Sequence, residues 1–320
     1  MSTRRDREPA RDWSPGLLVL TSVVIWGCTA RVTAEVGSHA RPLTLTSLRA
    51  APAALILLAV LPLLRARLPR DRRVWAWTGV SGLLMVTVFL GGFTEAIIRA
   101  GPGNAVVLAS TPPFFIVLLS RILYGDRVSL QALGGLVLGF TGVVMILSSQ
   151  LGGSSGGASL AAGLALALAA ALGWAIGTLI VKEMIVRHPE VDLVGVTTGQ
   201  YLVGGAVLLV ISFGAEGSGE ADWSSGALWL IVAFISIVSS ALATLTFFAA
   251  LRLLSATTVS AWLFLSPVVA VVLEIVLGHT PKAISFAGMA LTIAGVAIVA
   301  RAPATAAADK TMGPELLPEA

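Results

Sequence analysis

The sequence predicts an all-α membrane protein with ten transmembrane helices in two inverted-topology five-helix repeats. Three observations predict it. Ten apolar stretches fill the chain from Leu17 to Ala300, each about the 20 residues that a helix needs to cross a bilayer. The chain is 56% hydrophobic and 12% charged, with a mean hydropathy of +0.91, whereas a soluble domain carries roughly 25% charged residues. The stretches also fall into two sets of five. Five is odd, so if the sets are copies, the second sits upside down relative to the first. Inverted repeats of this kind build secondary transporters.

Helix is the reading for every stretch. Continuous apolar runs lack the period-2 alternation of a barrel strand, and backbone groups in lipid must be satisfied within the segment. Leu17–Val36 follows a charged arm bearing Arg4, Arg5, Arg7 and Arg11. No small-residue cleavage site follows it, so it reads as a retained anchor. It carries Trp26, Arg31 and Cys28, the single cysteine, which leaves no partner for a disulfide within the chain. Leu43–Leu64 carries Arg49. Val74–Ile98 follows an arginine-rich connection and has Glu95 and Arg99 near its end. Gly103–Leu123 holds Ser110, Thr111, Pro112 and Pro113. Leu130–Leu147 spaces Gly135 and Gly139 as GxxxG, a motif that lets helices approach closely. Packing within the chain is the favoured use of that motif, which favours a monomer over a dimer.

A Gly/Ser-rich stretch, Gln150–Ser159, reads as a flexible linker between the halves. Leu160–Val181 contains Trp174, Leu193–Phe213 contains Gln200 with Gly195 and Gly199, and Ala227–Leu251 is the eighth stretch. Ala256–Leu277 holds Phe264, Ser266, Pro267 and Glu274, and Ala283–Ala300 closes the set. The organisation is therefore an arm (1–15), a first repeat (16–149), a linker (150–159), a second repeat (160–301) and a tail (302–320) expected to be disordered. Residues Tyr124–Ile146 align with Leu277–Val299, matching Gly125 to Gly278, Gly135 to Gly288 and Gly142 to Gly295. Trp26 falls opposite Trp174, and both fourth helices carry mid-membrane proline.

A net charge of +4 and a pI of about 9.8 suggest nucleic acid until the distribution is read. With the N-terminus inside, 16 of the 21 Lys and Arg lie in cytoplasmic segments, as the positive-inside rule requires. The loop after the seventh stretch is acidic: Glu216, Glu220 and Asp222. Topology thus explains the basicity, places both termini in the cytoplasm of an inner (plasma) membrane protein, and removes nucleic acid as a partner. No Gly-Lys dipeptide exists, so no P-loop supplies ATP drive. His39, His188 and His279 are scattered, which leaves no expected metal site or other cofactor. No Ser/His/Asp or Cys/His arrangement stands out, and a lipid-modifying enzyme would need such a cluster. The chain reads as a non-enzyme.

The residues then resemble a known family. "IWGCTARVT" resembles the first helix of the EamA domain, and "LTLTSLRAAPAALILL" its second. "FFAALRLLSATTVSAWLFLSPVVAVVLEIVLG" and "FAGMALTIAGVAIV" resemble its closing helices. Two such domains make the ten-helix members of the drug/metabolite transporter superfamily. The resemblance covers about residues 16–300. It implies a small-metabolite carrier, often an exporter of amino acids, with a cavity built from helices one, three, four, six, eight and nine. Asp126 stands where the family commonly places an acidic residue, and His279 replaces it in the second half.

The candidate substrate-binding residues are Trp26, Arg49, Glu95, Ser110, Thr111, Pro112, Trp174, Phe264, Ser266 and Pro267. A charge at the bilayer centre costs about 2.5–3.5 kcal/mol on insertion scales, so Arg49 either anchors an anion or caps carbonyls and snorkels to the interface. Glu95 either couples protons or pairs with Arg99 four residues on. Proline frees a carbonyl one turn back, and transporter sites use such interrupted helices near the midplane. Ser110, Thr111, Phe264 and Ser266 would line that cavity beside Pro112, Pro113 and Pro267. Trp26 and Trp174 are either cavity wall or packing. The expected function is a secondary transporter that exports small polar metabolites, most of all amino acids, by alternating access. A facilitative channel, or a carrier of other metabolites or drugs such as nucleosides, amines or sugar-like solutes, is the alternative.

Overall fold

The structure is a computed structural model that describes residues 14–34, 41–125, 128–148, 151, 157–217 and 221–302. Residues 1–13 of the expected arm, 303–320 of the expected tail, most of the linker, and Asp126, His39 and Glu220 lie outside the described residues. So does the side chain of Arg31.

Every regular element among the described residues is helical. In chain order they are α1 (Ser14–Ala34), α2 (Pro42–Val60), α3 (Arg72–Ala100), α4 (Pro102–Tyr124), α5 (Leu130–Leu147), α6 (Ala158–Arg187), α7 (Leu193–Glu216), α8 (Gly226–Leu253), α9 (Ala256–Val276) and α10 (Ala283–Arg301). Nine of these, α2 through α10, are long and apolar enough to cross a membrane among the described residues. The apolar stretch of α1, Pro15–Thr29, is shorter.

Local chemistry sets the ends. Asp71, Asp192, Ser129, Ser225 and Ser255 cap α3, α7, α5, α8 and α9 by accepting hydrogen bonds from first-turn N–H groups, which would otherwise have no partner. The N-terminus of α2 is capped from elsewhere. Glu216, the last residue of α7, accepts from the N–H groups of Leu43 and Thr44 at 2.9 and 2.7 Å and from the Thr44 hydroxyl at 2.8 Å. Arg41 donates back to the Glu216 carbonyl at 3.1 Å. Glu216 is thus helix-terminal, and its carboxylate clamps α7 onto α2. Gly125 and Gly278 follow α4 and α9, and both take left-handed backbone (φ 69° and 87°), which a Cβ would strain.

The helices interleave across the midpoint of the chain. α2 packs along α7, and α5 along α10. α1 packs on α8 and α9, while α6 packs on α3 and α4. The α5–α10 crossing is reciprocal. A Cβ on Gly135 would lie 2.8 Å from the Gly295 carbonyl, and one on Gly295 would lie 2.6 Å from the Gly135 carbonyl. Gly142 and Gly288 face each other's carbonyls in the same way. Glycine is required here because only a missing Cβ lets the backbones touch. The GxxxG of α5 is therefore spent inside the chain.

Two helices carry matched interruptions. Leu83–Gly91 in α3 and Phe234–Leu242 in α8 are π-helical, nine residues each and 151 residues apart. The same spacing relates the starts of α2 and α7. Such winding widens the turn and occurs at functional sites.

A Gly142→Leu substitution drives a side chain into Thr292 and the Gly288 carbonyl. It should cost about 3 kcal/mol or more, read as a lowered melting temperature in detergent. Gly134→Ala meets nothing within 4 Å and should stay within about 0.5 kcal/mol of the parent. Glu216→Ala strips the α2 cap and should cost about 1–2 kcal/mol by the same measurement.

Candidate functional site

The junction of α1, α2, α3, α6 and α8 gathers three of the candidates, Trp26, Arg49 and Trp174. Trp26 and Trp174 meet edge to face, with ring centroids 5.5 Å apart and planes at 85°. Phe89 from the π-helical part of α3 stands 4.7 Å from Trp174. Phe247 from α8 lies 5.5 Å from each tryptophan. The four rings form one aromatic cluster between helices of both halves. Trp174 is 7% exposed, and its Nε1–H is buried with no hydrogen-bond partner among the described residues. Such a group costs about 1–3 kcal/mol, and the Trp262 Nε1–H is buried in the same way. The Trp26 Nε1–H donates to the Ser239 carbonyl at 2.9 Å.

Arg49 reaches the same place. Its Nε donates to the Ser240 hydroxyl and its terminal nitrogen to the Ser239 hydroxyl, both at 2.9 Å. Thr29 lies 2.8 Å from that Ser239 hydroxyl, and the Tyr201 hydroxyl donates to the Ser240 carbonyl at 3.2 Å. The local fold explains why Arg49 points here. Pro52 sits inside α2 and has no N–H for the carbonyl four residues back. That carbonyl, of Leu48, accepts from the Ser236 hydroxyl at 3.2 Å instead. Ser236, Ser239 and Ser240 share the π-helical stretch of α8 and bond the turn of α2 that precedes Pro52. Gln200 stands in α7 where Arg49 stands in α2, and it donates to the Ser81 hydroxyl of α3 at 2.8 Å. The two positions correspond, yet only one carries charge.

The other sequence candidates sit elsewhere. Glu95 pairs with Arg99 at 2.9 Å, both partly exposed, which is the local ion-pair alternative. The Ser110 hydroxyl donates to the Val106 carbonyl at 2.8 Å, and that of Thr111 to the Leu108 carbonyl at 2.6 Å. Leu108 is the carbonyl that Pro112 leaves free, so α4 repairs its own break. Pro112 and Pro113 are buried. Phe264 is 1% exposed and packs with Phe114 and Phe140, in the apolar cluster of α4, α5, α9 and α10. Ser266 and Pro267 follow the 3-10 turn Trp262–Phe264 of α9, where the Ser266 carbonyl faces Gly27 of α1. These residues are not gathered with the tryptophan pair.

Phe89, Phe247, Thr29, Tyr201 and the serines of α8 were not singled out from sequence. The adjacent Ser239 and Ser240 in an apolar run were the one available signal. A cavity of about 310 Å³ opens where α3 begins and α6 ends, lined by Arg73, Val74, Trp77, Glu183, Met184, Arg187 and His188. Glu183 is buried and pairs with Arg187. Lys182 nearby donates to the Leu251 and Leu254 carbonyls at the end of α8 at 2.8 and 3.0 Å.

Comparison with known proteins agrees with this architecture. The EamA-like transporter family matches residues 13–148 and again 161–301. The chain is 28% identical over 286 residues to the uncharacterized transporter YvbV of Bacillus subtilis (strain 168), covering 88% of this chain and 90% of that protein. It is 26% identical over 253 residues to the uncharacterized transporter YoaV of the same organism, covering 79% and 84%. A protein crystal structure shares the fold at a TM-score of 0.75 and 24% identity, covering 89% of this chain and 96% of that one. The helices interleave across two halves, and each half matches the family in turn. The chain belongs to the EamA-like transporter family.

Proposed function

We propose that the protein is a secondary carrier that exports small polar metabolites, amino acids above all, across the cell's inner membrane. It would act as a monomer with ten spans, both termini in the cytoplasm, and two inverted repeats of 16–149 and 160–301 that rock about one shared site. The observation that carries the reading is the Arg49 guanidinium, held by uncharged serines beside the Trp26–Trp174 pair. A zwitterion has two charged ends, and this junction suits both. Two bonds to serine occupy part of the five-donor guanidinium fork, which leaves donors for a carboxylate. The tryptophan faces attract an ammonium within about 6 Å. The unpartnered Trp174 Nε1–H adds a further donor to the carboxylate end.

The reciprocal α5–α10 crossing and the matched π-helical segments support two related halves. In a contact between copies related by a twofold, residue i meets j while j's counterpart meets i's, which is the pattern at Gly135 and Gly295. The cavity between α3 and α6 would be the cytoplasmic mouth, since the basic connections lie at that end. The amino-acid assignment and the outward direction come from the family resemblance.

The test is flux. Purified protein in liposomes should exchange a labelled amino acid, and unlabelled amino acid should inhibit. A broad panel with no flux above empty liposomes overturns the amino-acid reading. Arg49→Gln should lower kcat/KM about 10-fold or more, the loss of one charge-assisted hydrogen bond. Trp174→Ala should raise KM while the protein stays folded. Unchanged kinetics in both variants would remove this junction from the path.

A further inference from the structure

We infer that Ser239 and Ser240 are positioning residues: they aim the Arg49 guanidinium without neutralising it, and so set the preference for solutes that carry a carboxylate. The inference rests on the carrier reading above and assigns the selectivity of that same junction to two side chains.

Four observations converge on it. The guanidinium is gripped at two points, Nε on Ser240 and a terminal nitrogen on Ser239, each at 2.9 Å. Two contacts from a planar fork fix its rotation as well as its place. Both serines are fully buried, so water does not compete for those bonds. Their own backbone is pinned in turn. The Ser239 carbonyl takes the Trp26 Nε1–H at 2.9 Å, and the Ser240 carbonyl takes the Tyr201 hydroxyl at 3.2 Å. Ser236, one turn earlier, holds the Leu48 carbonyl freed by Pro52, which sets the residue before Arg49. The serines therefore link the arginine, one wall of the aromatic cluster and the turn of α2 that precedes Pro52.

The chemistry of the partner matters most. An arginine within a membrane helix pairs with another ionisable group or with backbone carbonyls, or faces a cavity. A carboxylate would hold the fork equally well but would cancel its charge and occupy the place of a substrate carboxylate. A hydroxyl accepts the hydrogen bond and carries no charge. Among the described residues no ion pair includes Arg49. The corresponding position in the second half, Gln200 on Ser81, keeps the serine contact and lacks the charge. One fixed positive group on one side of the path suits a solute with one carboxylate.

The experiment compares competitors in liposome exchange. The pairs are amino acids and the amines that remain when their carboxyl groups are removed. In the unmodified protein the amino acid should compete far better than its amine. In Ser239→Ala/Ser240→Ala the amino acid should weaken about tenfold, while the amine shifts less than about twofold. Arg49→Gln should collapse the ratio to the same extent, and the triple variant should collapse it no further. Ser240→Ala alone, which keeps the Ser239 contact, should give an intermediate ratio and provides the test if the double variant melts early.

Equal weakening of amino acid and amine would mean a purely structural role and overturn the inference. An unchanged ratio would overturn it as well. If the unmodified protein moves no amino acid, the carrier reading itself falls. If it does and the serine variants keep their preference, only the inference about the serines falls.

Discussion

A helix in hydrocarbon has to satisfy its carbonyls from within the protein, since lipid offers no hydrogen-bond donor. That constraint decides where this molecule is allowed to be irregular. Pro52 frees the Leu48 carbonyl, and Ser236 of another helix answers it. Pro112 frees the Leu108 carbonyl, and the hydroxyl of the adjacent Thr111 answers it. The two repairs have different consequences. The first ties α2 to α8 across the junction of the halves and brings Arg49 with it. The second stays inside α4 and commits no other element.

The reciprocal glycine crossing of α5 and α10 and the clamp of Glu216 on α2 each join a helix of the first half to one of the second. Close backbone approach is rigid, because nothing at a glycine–carbonyl contact can rotate out of the way. The junction of α1, α3, α6 and α8 combines large aromatic rings and two π-helical segments with a close approach of its own, since a Cβ on Gly173, next to Trp174, would lie 3.0 Å from the Leu84 carbonyl. The halves are also unequal where it matters. Arg49 and Gln200 correspond, each bonded to serine, and the difference between them is one positive charge.

Much of the fold was legible in the sequence. Hydropathy located α5 at Leu130–Leu147 to the residue, and most other ends to within a few residues, because the apolar run and the helix end for the same reason. α6 runs on to Arg187, past the apolar run, since buried Glu183 pairs with Arg187 and Lys182 caps the end of α8. The Gly135/Gly288 and Gly142/Gly295 matches anticipated a contact that the structure shows as reciprocal. Trp26, Trp174 and Arg49 were legible as oddities, an amphipathic ring or a charge where only alkyl groups are inexpensive. Their partners were not. Ser239 lies 190 residues from Arg49 in sequence, and no local pattern encodes a bond across that distance. The π-helical segments left no compositional mark either. Phe264 looked like a cavity residue through its neighbour Pro267, yet its ring fills the space over Gly139. Proline position alone does not say which side of a helix faces a solute.

The central claim is that one path runs between the halves past the aromatic cluster and opens to each side in turn. Cys28 is the single native thiol, so a Cys28→Ser background leaves any new cysteine as the sole reporter. Phe89→Cys in that background places a thiol beside Trp174. Charged, membrane-impermeant thiol reagents applied to oriented vesicles should label it from either face, and a transported amino acid should protect it from both. Labelling from one face only under every condition, or labelling that no solute slows, would contradict the shared path.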